Sequence, residues 1–338
     1  MYLFAKTIFS QCPNESYCIV LSILNIILII VQLILIFYLV TNYKKSNNDY
    51  IKFLTFNKIF SFTVFLFISI FGEIKTFFPR KVVACYGLIR LVGDTGCQIT
   101  ISITIPFIMV ECLFILYAFN GQYNTLCRKK KFHQNSLIQR LSFTLFFLCV
   151  LTVYVTLYLS YSPREKIISN VISTHEDIKF LTNNNYSFTG VVDAKRITFL
   201  IGSASMLTFY VNYIVHYAYI FNKMLKFLRE IKELGQISNQ NNKNYLNKFK
   251  HHIKNVVIPV ILIYVPLGIF MVCLIFYRDE KYFWITKKLS NMLQYTVYLY
   301  GITSPSYTLY FILTSELKSN KIFIKKLTSN TLQIKRKK

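Results

Sequence analysis

Seven apolar stretches, each long enough to cross a bilayer, divide the 338-residue chain. They cover residues 17–40, 53–72, 83–118, 141–161, 197–221, 255–277 and 289–313, the third being overlong with a polar first third. A spanning helix needs about 20 mostly apolar residues. Lipid offers no hydrogen-bond partners, so the backbone must satisfy itself within the helix. The expected fold is an all-α membrane protein, a seven-transmembrane helix bundle over residues 1–313 with a tail at 314–338. Hydrophobic residues are 54% of the chain and charged ones 16%, and soluble two-domain chains rarely carry seven such runs. An odd number of crossings puts the termini on opposite faces.

A formal net charge of +25 invites a nucleic-acid reading, and its distribution decides against one. With the amino terminus outside, the inside segments are 41–52, 119–140, 222–254 and 314–338. They hold 24 Lys and Arg against four acids, Asp49, Glu230, Glu233 and Glu316. The outside segments 1–16, 73–82, 162–196 and 278–288 hold 13 against eight. Lys/Arg bias in short loops sets orientation, so the amino terminus is expected outside and the carboxyl terminus inside. The same basic loops make membrane lipids, rather than nucleic acid, the expected anionic contact.

Two glycosylation sequons, Asn14-Glu15-Ser16 and Asn185-Tyr186-Ser187, both fall in segments that the charge bias places outside. Residues 1–16 lack a small-residue cleavage site, so the first span is expected to serve as the insertion signal. Of eight cysteines, Cys97, Cys112, Cys149 and Cys273 fall within spans and read as small packing residues. Cys127 is expected inside and reduced. Cys12, Cys18 and Cys85 lie on or near the outer face, where one disulfide, Cys12–Cys85 or Cys18–Cys85, is expected. No spacing matches a zinc site, and no cofactor is expected.

The inside loops carry candidate contacts for a cytosolic partner. Arg128 and Lys129 open a run of four basic residues at a span end. Lys226 and Arg229 lie on a helical extension of span five, where Met224, Leu225, Leu228 and Ile231 recur at helical spacing. Residues 235–244 are an Asn/Gln-rich turn, and Lys250 lies on the segment leading into span six. In the tail, Leu317, Ile324 and Leu327 share one face and Lys318, Lys321 and Lys325 another, as in an interfacial helix, before a polybasic end at 335–338.

Four charges lie within spans: Lys58, Arg90, Asp94 and Glu111. Each costs ~2.5–3.5 kcal/mol on insertion scales and needs a partner or a purpose. Arg90 and Asp94, four apart, are placed to pair with each other or to face an outward ligand pocket. Lys58 and Glu111 sit at similar depth on spans two and three. Either they lock the two helices, or Lys58 snorkels to the interface and Glu111 changes protonation. Pro106, Pro259, Pro266 and Pro305 break hydrogen bonds inside spans, giving fixed bends or pivots. Gly93, Gly96 and Gly301 allow close helix approach. His216 in span five reads as a helix–helix hydrogen bond or a titrating group. No nucleophile motif or phosphate loop occurs, so no catalytic residue is expected and the chain is not read as an enzyme.

Three short motifs carry a family resemblance. Val257-Ile258-Pro259-Val260, with Pro266 seven positions after Pro259, resembles span six of the nematode serpentine chemoreceptors of the Str superfamily, near its Srh or Str branch. Tyr300-Gly301-Ile302-Thr303-Ser304 is similar to that group's histidine-glycine-x-x-serine pattern, with Tyr300 replacing histidine. Phe119-Asn120-Gly121-Gln122-Tyr123-Asn124 resembles its glutamate-asparagine-arginine-tyrosine junction, without the arginine. The resemblance implies a G-protein-coupled receptor of the plasma membrane, often of a sensory cilium, that binds a small environmental molecule and activates a heterotrimeric G protein. Ligand contacts are then expected between the outer halves of spans three, five, six and seven, at Asp94, Gln98, Tyr210, His216 and Tyr298. Assembly as a homo- or hetero-oligomer is compatible with the sequence. A chemosensory channel has the opposite orientation, and a transporter needs internal repeats that are absent here.

Overall fold

The computed structural model describes residues 15–43, 49–77, 80–183, 186–192, 197–233, 257–258, 261–262, 265–266, 284–285, 288–289, 292, 295–310 and 312–313. Asn14, Asn185, Cys12, Lys250, the tail and most of span six lie outside these residues, as does the side chain of Cys18.

Five helices among the described residues are long and apolar enough to cross a membrane. They are α1 (Glu15–Tyr43), α2 (Asp49–Leu66, continued as a π-helix over Phe67–Gly72), α3 (Asp94–Leu126), α4 (Leu137–Leu159) and α5 (Ile197–Glu233). Residues 295–310 are helical as well. The chain packs α1 on α2, α2 on α3, α3 on α4, and α4 along α5. Polarity runs opposite to that of a soluble domain. Large apolar side chains face outward, Phe37 being 74% exposed, whereas Gln32, Asn57, Lys58, Glu111, Asn120 and Asn124 are buried. Water would penalise that arrangement; hydrocarbon, in which unpaired polar groups are costly, favours it.

The third span differs from its expected course over 83–118. Its polar first third leaves the membrane helix and forms a strand and a 3-10 turn, and α3 then runs to Leu126. Gly93, with φ +80°, makes the turn into α3 and has open space around it, so its role is conformational rather than close helix approach. The strand joins a small antiparallel sheet in the order β1 (Ile74–Phe77), β2 (Val82–Cys85), β3 (Ser187–Gly190). This cap lies over the end of the bundle at which α2 finishes and α3 starts.

The expected pairing of Cys85 with Cys12 or Cys18 is corrected by the cap. Cys85 bonds Cys97, with Cα atoms 5.7 Å apart. Cys97 lies in the first turn of α3, at its mouth and not deep in a span, because the helix begins only at Asp94. The expected Arg90–Asp94 pair is replaced as well. Asp94 takes Arg164 from the loop after α4, and Arg90 donates to the Tyr86 carbonyl at 3.0 Å.

Candidate functional site

Three polar assemblies lie along α3: at its capped end, at its middle, and at its far end.

At the capped end, both oxygens of Asp94 accept from Nη1 of Arg164 at 2.9 Å, and one also accepts from the backbone N–H of Phe188 at 2.9 Å. The Arg164 guanidinium lies 4.3 Å from the Phe188 ring centroid and donates to the Tyr186 carbonyl. One turn along α3, Gln98 accepts from the Thr189 hydroxyl and donates to the Leu157 carbonyl at 2.8 Å. All four residues of β3 are buried. Burial, followed by the nearby Tyr186 and Glu73, holds the Tyr86 phenol well above its usual range, so it stays protonated. Asp94 and Gln98, expected as ligand contacts, thus hold β3 and the loop after α4 onto the bundle.

At the middle, the two buried charges meet the glycine motif of span seven. Tyr300 donates to Oε1 of Glu111 at 2.9 Å, and Ser61 of α2 donates to the same oxygen at 2.7 Å. Lys58 donates to Oγ of Ser304 at 2.9 Å. Lys58 is 3% exposed and Glu111 1%, so neither snorkels to an interface. Gly301, between the donor Tyr300 and the acceptor Ser304, lets that helix approach: a Cβ there would lie 2.6 Å from Leu28 and 2.8 Å from Phe65. Gln32 of α1 donates to the Gly301 carbonyl at 3.0 Å. Ser61, three residues after Lys58, and the pair Tyr300/Ser304, four apart, each share a helical face, so their spacing carried a signal. Nothing in the sequence pointed to Arg164.

At the far end, neutral amides join α3 to α4. Asn120 and Asn124 both donate to the side chain of Asn135, at 2.8 and 3.0 Å, and Gln139 donates to Asn120. Gln139 also closes a capping box with Ser136 at the start of α4. Arg128 donates to Asn124 at 2.8 Å, Gln139 at 3.2 Å and the Gln134 carbonyl at 3.3 Å. The arginine missing from the Phe119–Asn124 junction is therefore supplied one turn later. Lys129 and the next two lysines are exposed beside this clasp, as are Lys226 and Arg229 on α5. The Cys127 thiol, next to Arg128, is pushed up to about 12 by burial.

The five expected ligand residues lie on three helices: α3, α5 and the helix over 295–310. Asp94 and Gln98 lie under the cap, and Tyr298 is buried on the side of Asn25 and Glu73. Tyr210 is half-buried against the core. His216 lies about 28 Å down α5 from Ile197, with ring centroids 5.6 and 6.2 Å from Phe143 and Phe146 of α4. Among the described residues no group of three His, Cys, Asp or Glu could hold a metal ion.

Residues 12–337 match the family described as "Serpentine type 7TM GPCR chemoreceptor Srh". The chain belongs to the Srh family. It is a multipass membrane protein of the chemosensory receptor kind, within the nematode serpentine receptor group. Among curated proteins no match is found. Family membership gives the cluster at the middle of α3 its context: the span-seven motif, read from sequence as a signature, is here the hydrogen-bonding partner of both buried charges.

Proposed function

We propose that this Srh protein is a G-protein-coupled receptor of the plasma membrane, in a sensory cilium of a nematode, that detects a small environmental molecule. The match over residues 12–337 carries the reading. In it, the amino terminus and the cap face outside, the Asn120–Gln139 clasp and the exposed lysines face the cytosol, and residues 314–338 lie along the inner leaflet. The ligand enters beneath the cap, with Tyr210 and Tyr298 as its candidate contacts. Asp94 and Gln98 serve it indirectly, by holding the cap. A ligand that contacts one conformation better shifts the population toward it. The heterotrimeric G protein then meets Lys129, Lys226, Arg229 and Lys250.

Orientation tests this first. Tags at Met1 and Lys338 are stained in cells with and without permeabilisation, and Asn14→Gln is compared with the parent for loss of one enzymatically released glycan. Start visible on intact cells, end hidden and one glycan lost are expected, followed by a ligand-dependent signal from a G-protein reporter against a panel of volatile and polar small molecules. The reverse orientation overturns the reading and points to a channel.

A further inference from the structure

We infer that Lys58, Ser61, Glu111, Tyr300 and Ser304 form an internal latch that holds the bundle in its inwardly closed, non-signalling conformation, a role that rests on the receptor reading for its output. The latch ties three helices at one depth. Glu111 of α3 accepts from Ser61 of α2 and Tyr300 of span seven, and Lys58 of α2 reaches Ser304 one turn from Tyr300. In the conformation in which these bonds form, α3 and α5 pack together at the clasp end among the described residues. There Asn124, Ile220 and Met224 are buried, and Phe119 of α3 packs on Tyr217 of α5 with ring centroids 5.4 Å apart. A displacement of span seven from α2 and α3 breaks the Tyr300 and Ser304 bonds and leaves two buried charges short of partners.

The cluster is also one step from a second arrangement. Oε2 of Glu111 accepts no hydrogen bond among the described residues. Lys58 has three donors and makes one hydrogen bond there. A direct Lys58–Glu111 contact is thus available to take over when span seven withdraws. Such a paired alternative makes an element two-state rather than merely rigid.

The test reads opening without needing a G protein. Met224→Cys in a Cys127→Ser background places a buried thiol at the inner end of α5. Its labelling by a polar maleimide is followed in permeabilised cells, counting only protein delivered to the surface. Glu111→Gln and Lys58→Gln should each raise the labelling rate about tenfold or more, and Ser304→Ala and Tyr300→Phe less, since each removes one hydrogen bond to a charged group. The double Lys58→Gln/Glu111→Gln variant should open less than the two singles combined, because no lone charge remains. Labelling unchanged in every surface-delivered variant overturns the latch. So does loss of all variants, including Ser304→Ala and Tyr300→Phe, from the membrane, which would mark the cluster as needed only for folding. Faster labelling with ligand-independent reporter output supports both readings; faster labelling with a silent reporter keeps the latch and removes the G-protein reading.

Discussion

The two ends of α3 are held by different chemistry. The capped end is fastened by a covalent bond, Cys85–Cys97, and by the Arg164–Asp94 ion pair seated under β3. The far end is fastened by neutral amides, Asn120, Asn124, Asn135 and Gln139, with Arg128 donating into them. A disulfide and a bidentate ion pair do not exchange partners within a conformational step. Amides can, because each carries both donors and acceptors and one alignment replaces another at small cost. The difference teaches that the capped end is the harder of the two to rearrange, since its bonds have no alternative partners of equal strength.

Three substitutions sharpen this contrast. The largest effect belongs to Cys97→Ser, which opens a short loop and should cost about 3 kcal/mol. Thermal unfolding in detergent should show it, with reductant lowering the parent's midpoint and leaving the variant's unchanged. Asp94→Ala comes next. It removes three hydrogen bonds and strands a half-exposed Arg164, for about 2 kcal/mol after allowance for solvent. Proteolysis between residues 164 and 190 should accelerate on intact cells, and an unchanged rate would mean that β3 is held without the ion pair. The smallest is Gln139→Ala, which removes a cap and a cross-helix amide for about 1 kcal/mol. Here the change is local: Cys127, slow toward maleimide at pH 8 because its thiol is pushed up to about 12, should label faster once the clasp loosens. If Gln139→Ala instead lowers the unfolding midpoint as far as Cys97→Ser, the contrast between the ends fails.

Much of the bundle was legible because lipid imposes one strict rule on sequence. The helices α1, α4 and α5 lie where runs of apolar residues predict them. The buried charges were legible as rare and costly, and the Tyr300–Ser304 motif as a resemblance. The cap was not. Residues 83–92 read as the start of a span because Val83, Ala84 and Cys85 are apolar, yet they are apolar to fill a sheet against β3, whose paired residues Thr189, Phe188 and Ser187 come from far along the chain. Strand pairing across that separation leaves no periodic mark in the sequence of either partner. Cys97 was assigned to the membrane for the same reason, and Arg164 had no local signal at all, being an ordinary basic residue in a loop.

By itself, the sequence determined that this chain lives in a membrane and which four charges must find partners, since hydrophobic length and the position of a charge within it are properties of each segment alone. Tertiary structure decided who those partners are. It gave Asp94 to Arg164 and not to Arg90, Cys85 to Cys97 and not to Cys12 or Cys18, and both Lys58 and Glu111 to the glycine motif of span seven. A hydrogen bond or a disulfide depends on distances between segments, and those distances exist only once helices from distant parts of the chain have packed.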